Sequence, residues 1–347
     1  MKKYNYGTAI LAAFEYLLEN KPEVFVIGQG LWSPWYVGNS MTNLDKKFGK
    51  GRVIDTPVSE SACTGAAVGA SLAKMRPIIV HPRMDFMLYS MDAIINQAAK
   101  WSHMFKGQAH PCLTIRGIIN RGGEQGAQHS QSLHSLFAHI PGLRVVMPYS
   151  VGDARDLLIA SVLCDDPVIY IDDRWLYETE AELDEYKEID LRKEGPKLIS
   201  EGDDITFVSS SYGTQLAIEA STKLLDFNIK AEIIDLRILN PFKSDLIVNS
   251  VMKTKRLIVV DGSWRNCGFA SEVLACVYEE IPVGILKNPP CRITLPCAPA
   301  PCSRSLEEGY YISSQDLITK ALSYFDYKKE IISNLNQISF FIILNYF

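Results

Sequence analysis

A lone carboxylate stands at the mouth of a run with almost no side-chain bulk: Glu60 in "DTPVSESACTGAAVGAS", residues 55–71. In the first turn of a helix such an acid complements the helix dipole. Alternatively, the Ala, Gly, Ser and Thr residues behind it let a bulky ligand or another backbone come close, and the acid touches that ligand. Two imidazoles add to this inventory. His81 follows the apolar run "RPIIV", and His129 sits in "NRGGEQGAQHSQ" (120–131), whose glycines permit unusual backbone angles. Imidazole donates or accepts near neutral pH, so a carboxylate and histidines on one rim point to proton handling and ligand orientation.

The elements that must position these residues are legible as short apolar runs. In the first half they are "VFVIGQG" (24–30), "RVIDTP" (52–57), "RPIIVHP" (76–82), "PCLTIRGII" (111–119), "LRVVMP" (143–148) and "DPVIYID" (166–172). Most are rich in Val and Ile, end at Gly or Pro, and do not alternate polar with apolar, as strands of a parallel sheet buried on both faces do. Helix-length segments at 60–74, 90–104 and 151–163 lie between them, and the opening residues read as a first helix. A second series follows, with "ITFVSSS" (205–211), "KAEIIDL" (230–236) and "RLIVVDGS" (256–263), and helices expected at 213–227 and 268–280. The expected architecture is α/β with two doubly wound domains. The boundaries fall at 1–185 and 204–327, with a charged linker at 186–203 and an apolar tail at 328–347. In open α/β sheets ligands bind beyond the carboxyl ends of the strands, where Glu60, His81 and the His129 loop all lie.

Composition narrows the class. A net charge of −5 over 347 residues argues against a nucleic-acid binder. The tail "ISFFIILNYF" is too short to span a bilayer, which takes about 20 residues. The eight cysteines form no CxxC pair and no zinc-spaced cluster, and the N-terminus does not read as a secretory signal, so the expected setting is the reducing cytoplasm. No GxGxxG follows the first strand, which sets a nicotinamide dehydrogenase aside.

An ordered set of motifs carries a family resemblance: "RVIDTPVSE", "RPIIVHPRMDF", "INQAAKW", "GAQHSQSLHSLFAHIPGLRVVMP", "DPVIYIDDRWLY", then "AEIIDLRILNPF", "KTKRLIVVDGSW" and "LEEGYYISSQDLI". Over roughly residues 4 to 325 the chain resembles the beta subunit of the thiamine-diphosphate-dependent 2-oxo acid dehydrogenases of the pyruvate, branched-chain and acetoin type. The resemblance implies a transketolase-like pyrimidine-binding domain followed by a transketolase C-terminal-like domain. It also implies a role for Glu60. In the family, thiamine diphosphate reacts through a carbanion made by the cofactor's own amino group, and a carboxyl bonded to the aminopyrimidine ring shifts that group to its basic tautomer. The motif match puts this carboxyl at Glu60, the stacking aromatic at Phe86, and the histidine that orients substrate and assists acyl transfer at His129. His134 and His139 read as structural. The resemblance further implies a structural potassium ion on backbone carbonyls, at positions matching Leu113, Ser161, Val162, Cys164 and Asp166, with Cys164 where relatives often carry Asp.

The chain also departs from the pattern. Gln29 stands where many relatives have a glutamate thought to relay protons between two sites. Val80 and His81 replace the usual Glu or Phe, and His103 replaces a tyrosine near the substrate, which makes His81 and His103 substrate-side candidates. The Gly-Asp-Gly and downstream Asn that hold magnesium and the diphosphate in the family are missing. The resemblance therefore implies an alpha subunit that supplies them in an α2β2 tetramer. The implied reaction is oxidative decarboxylation of a 2-oxo acid, with the acyl group passed to a lipoyl group on a partner acyltransferase. Two alternatives are the C-terminal half of a split transketolase and a non-catalytic scaffold subunit.

Overall fold

The computed structural model describes residues 2–33 and 37–325, so the apolar tail expected at 328–347 lies outside the described residues. The chain forms two compact units that are not contiguous in sequence. The first comprises residues up to Gly195 together with Leu236–Lys243 and Pro299–Tyr310. The second comprises Pro196–Asp235, Ser244–Ala298 and the residues from Tyr311.

The first unit is built on a seven-stranded sheet in the order Ile238–Asn240, Arg144–Val146, Val168–Asp173, Thr114–Ile119, Arg76–His81, Val24–Gln29, Val53–Thr56. All neighbours are parallel except the edge pair formed by Ile238–Asn240 and Arg144–Val146. The two central strands, Thr114–Ile119 and Val168–Asp173, are buried at every residue, which is why their sequence runs apolar without alternation. The helix Tyr6–Asn20 begins at a reciprocal cap: Thr8 N–H donates to Asn5 Oδ1 at 2.8 Å, and Asn5 N–H donates to Thr8 Oγ1 at 2.9 Å. The helix Val151–Leu163 falls where the sequence predicts it.

Other elements differ from expectation. The single helix predicted over 90–104 is broken into a wide turn, Asp92–Ala98, and a short helix, Trp101–Met104. Five short strands escaped the sequence: Lys2–Asn5, Glu180–Leu183, Lys197–Ser200, Ile238–Asn240 and Cys291–Leu295. Most of these are edge strands with exposed or half-buried residues, so they lack the apolar runs that mark a central strand. The second unit holds a five-stranded sheet, Cys291–Leu295, Leu257–Trp264, Ile205–Ser209, Ala231–Asp235, Lys197–Ser200, again parallel except at the last edge pair.

A buried ion pair locks the two central strands of the first sheet. Arg116 and Asp172 are fully buried, and the guanidinium meets both carboxylate oxygens, at 2.8 and 2.9 Å. Ser40 Oγ and Tyr177 Oη complete the Arg116 Nη2 shell at 2.9 and 2.8 Å. Burial opposes the charge on Arg116, but Asp172 more than offsets it and holds the guanidinium protonated. Removing one partner of such a pair strands the other charge in the core. Arg116→Ala is expected to cost about 3–5 kcal/mol in the urea unfolding of the first unit; a loss below about 1 kcal/mol, as for a surface pair, would contradict this reading.

Candidate active site

The parallel strands Val24–Gln29, Val53–Thr56 and Arg76–His81 end at one edge, and a cleft opens there, about 360 Å³ when the space open to solvent is included. Its walls include Gln29, Glu60, Cys63, His81, Arg83 and Phe86.

Glu60 is the first residue of the helix Glu60–Leu72 and also a wall of the cleft, so both jobs open to a carboxylate in that position coincide. The preceding Ser59 makes no side-chain cap, which leaves the helix N-terminus facing the cleft mouth. The Glu60 side chain is half-buried, and among the described residues it makes no hydrogen bond or ion pair. On the same helix Ser61, Ala62, Gly65, Ala66 and Gly69 are exposed, and a Cβ added at Gly65 or Gly69 would meet nothing within 4 Å.

Phe86 lies in the turn Met84–Ser90 and lines the cleft, and His129 meets its ring edge to face, 5.3 Å apart at 86°. The loop carrying His129 is anchored along its length. Arg121 pairs with Asp173 and stacks over Trp175 at 5.1 Å. Gly122, at φ +78°, packs so close that an added Cβ would stand 2.9 Å from Trp175 Cζ2. Glu124 N–H donates to Glu307 Oε2 at 3.0 Å, and Arg83 Nη2 donates to Gln125 Oε1 at 3.0 Å. Gln131 donates from both its backbone N–H and its Nε2 to Asp85 Oδ1, at 3.0 and 2.9 Å. Asp85 itself is buried, which raises its carboxyl above the usual range against the opposing effect of the Gln131 bonds. His134 is buried and bonded to Ser132 Oγ at 2.9 Å, a structural placement.

His81 is buried at the end of its strand, and Thr64 Oγ1 lies 3.2 Å from its Nε2, with Ser90 Oγ 3.0 Å beyond. Burial lowers its pKa to about 4, so the imidazole is neutral across the physiological range. His103 is not brought to this cleft. It is exposed on the short helix Trp101–Met104 and lines a separate hollow with Ser102, His110 and Asp165.

The carbonyls of Val162 and Cys164 each accept from Arg76 Nη1 at 2.9 Å, while Asp166 pairs with Arg144 at 2.6 Å. The Leu113 carbonyl accepts from Val168 N–H at 3.0 Å, and the Ser161 hydroxyl donates to Leu157 O at 2.6 Å. Beside Leu113 the fully buried Thr114 hydroxyl has no hydrogen-bond partner among the described residues. Two of these carbonyls are thus engaged by the Arg76 guanidinium and a third by a strand bond.

Sequence reasoning passed over Asp85, Arg83 and Gln131. The signal was present in "PRMDFM", where two charged residues interrupt an otherwise apolar stretch beside Phe86.

The fold and the cleft define a transketolase-type chain. Residues 2–179 match the transketolase pyrimidine-binding domain, and residues 196–317 match the transketolase C-terminal domain. A solved split-gene transketolase described as an inactive beta4 tetramer superposes with a TM-score of 0.72, covering 92% of this chain and 98% of that one at 19% identity. Curated relatives narrow the class. The beta subunit of acetoin:2,6-dichlorophenolindophenol oxidoreductase from Bacillus subtilis is 38% identical over 80% of this chain and 81% of its own length. The mitochondrial pyruvate dehydrogenase E1 beta subunit of Ascaris suum is 34% identical over 89% and 87%. That of Rickettsia bellii is 37% identical over 74% and 79%. The chain belongs to the transketolase-like beta subunits of the thiamine-diphosphate-dependent 2-oxo acid dehydrogenases.

The depressed pKa of His81 has a signed consequence for stability. Between about 4 and 6.5 the unfolded chain binds a proton at this residue and the folded chain does not, so the His81 contribution falls as pH drops through that window. The full difference is about 3 kcal/mol. His81→Phe is expected to remove this part of the acid sensitivity, read as unfolding free energy of the two proteins from pH 7 to pH 4. Parallel curves for the two proteins would contradict it.

Proposed function

We propose that this chain is the beta half of a split active site that decarboxylates a small 2-oxo acid, with Glu60, Phe86 and His129 serving the pyrimidine end of thiamine diphosphate and the substrate. The observation that carries the proposal is the Glu60 carboxylate, half-buried in a cleft beside Phe86 with no hydrogen-bond or ion-pair partner among the described residues. A carboxylate has about four acceptor sites, and these are left for a ligand. When bound, the cofactor supplies the nucleophile that adds to the keto carbon. Glu60 holds a proton against the aminopyrimidine ring. Phe86 stacks on that ring and excludes water from its face. His129, held at the edge of Phe86, donates to the oxygen of the substrate and of the departing acyl group. His81 stays neutral and, with Gln29, lines the cleft wall without adding charge.

The magnesium and diphosphate ligands come from an alpha subunit, in an α2β2 assembly, and the acyl group passes to a lipoyl-bearing acyltransferase. The open small-residue face of the helix Glu60–Leu72 leaves room for a partner backbone. Leu113, Ser161, Val162, Cys164 and Asp166 would hold potassium as a structural ion. The eight free cysteines support a reducing compartment, here the cytoplasm, and no helix among the described residues is long and apolar enough to cross a membrane.

Glu60→Gln tests this reading. In the assembled enzyme the exchange of the bound cofactor's thiazolium C2 proton with D2O, read by quenched-flow NMR, is expected to slow by about 100-fold or more. An unchanged exchange rate would overturn the role of Glu60. Calorimetry of the purified chain with thiamine diphosphate and magnesium is expected to show no tight binding, and tight binding by the chain alone would overturn the split site.

A further inference from the structure

The turn Met84–Ser90 and the His129 loop meet in a regular stagger. Met84 Sδ accepts from Leu133 N–H at 3.4 Å, Asp85 Oδ1 accepts from Gln131, and the Phe86 ring meets His129. Each step forward along the turn thus meets a residue two back along the loop. The middle contact is the unusual one. Asp85 is only 4% exposed, and no cation pairs with it among the described residues. Its Oδ2 is buried without a hydrogen-bond partner among the described residues, and the two Gln131 bonds, with smaller help from its own backbone and from His129, only partly offset the burial of the carboxyl. Burying an acid in this way is costly, and an apolar side chain would fill the position at lower cost.

We propose that Asp85 is a positioning residue, which fixes His129 at the edge of Phe86 by holding both donors of Gln131. The backbone N–H and Nε2 of one residue converge on a single carboxylate oxygen, so the loop can neither slide nor rotate about residue 131 without losing both bonds. Two residues earlier the His129 ring has no such bond. Its own backbone N–H reaches Gly126 O at 3.4 Å, a long contact, and its ring meets the Phe86 ring edge to face. The orientation of His129 is therefore set through its neighbours, with Asp85 as the fixed point on the side of the cleft. The mechanistic importance of this placement rests on the reading that His129 serves the substrate, since a reacting group displaced by about 1 Å loses on the order of 100-fold in rate.

Hydrogen exchange and NMR on the purified full-length chain test the tether directly. Asp85→Leu removes the acceptor; Asp85→Asn keeps an acceptor oxygen at the same place. In the leucine variant the peptide spanning 126–133 is expected to exchange at least tenfold faster, and the His129 ring proton, assigned by its loss in His129→Ala, to leave the ring-current field of Phe86. The asparagine variant is expected to restore both signals. Should Asp85→Leu fail to fold, Asp85→Ala removes the same acceptor without added bulk, and Gln131→Leu, which deletes the Nε2 bond but keeps the backbone bond, is expected to raise the exchange by a smaller factor. An exchange rate and a His129 signal unchanged in the leucine variants, or lost equally in Asp85→Asn, would overturn the proposal. Activity separates it from the reading beneath it. Full 2-oxo acid turnover in His129→Ala sinks the role of His129, whereas the exchange data judge the Asp85 tether by itself.

Discussion

Parallel pairing decides where every polar group of the cleft stands. Once Val24–Gln29, Val53–Thr56, Arg76–His81 and Thr114–Ile119 run side by side in one direction, their carboxyl ends deliver Gln29, Glu60, His81, Phe86 and the His129 loop to a single rim. The Arg116–Asp172 pair fastens the strands that feed this rim from within the core. Arg121–Asp173, a few residues further along the same two strands, fastens the start of the loop itself. The scaffold is therefore stiff up to the last residue before the chemistry begins, as a site held to within about 0.5 Å requires.

In and around the cleft the charges are sorted by burial. His81, fully enclosed, stays neutral; Asp85, enclosed without a cation, is pushed toward its protonated form; Glu60, at the mouth, is left unpaired. A carboxyl that other protein groups already satisfied could not also govern the protonation of a bound ring. On the proposed reading, the lack of a partner for Glu60 among the described residues is what the chemistry needs, and the acid stands at a helix N-terminus, where a negative charge is tolerated at little cost.

The sequence carried much of this, for physical reasons that differ by element. Central strands such as Val168–Asp173 are buried on both faces, and their unbroken Val and Ile runs announce them. Edge strands such as Cys291–Leu295 satisfy weaker demands and leave a weaker trace. The segment 90–104 keeps a helical period in its apolar residues, yet its backbone winds wide between 92 and 98, which side-chain periodicity does not report. In the site, Glu60, Phe86 and His129 stand out in the sequence by their motifs; Glu60 and Phe86 line the cleft, and His129 meets the Phe86 ring. His103, picked out by the same reasoning, faces a different hollow because the short helix Trp101–Met104 turns it away from the rim. Asp85 and Gln131 were missed because their meaning lies in a contact between segments 46 residues apart. The division into units was also only partly readable, since Leu236–Lys243 and Pro299–Tyr310 return to the first unit from beyond the second unit's opening strands.

The central claim is that a carboxyl left free by the protein is completed by the cofactor. A structure of the assembled complex with thiamine diphosphate bound is the most direct measurement. The account predicts a Glu60 oxygen within about 2.5–3.0 Å of a pyrimidine ring nitrogen, with Phe86 against the ring face. A Glu60 side chain turned away from the ring, or a cofactor seated elsewhere than this cleft, would contradict it.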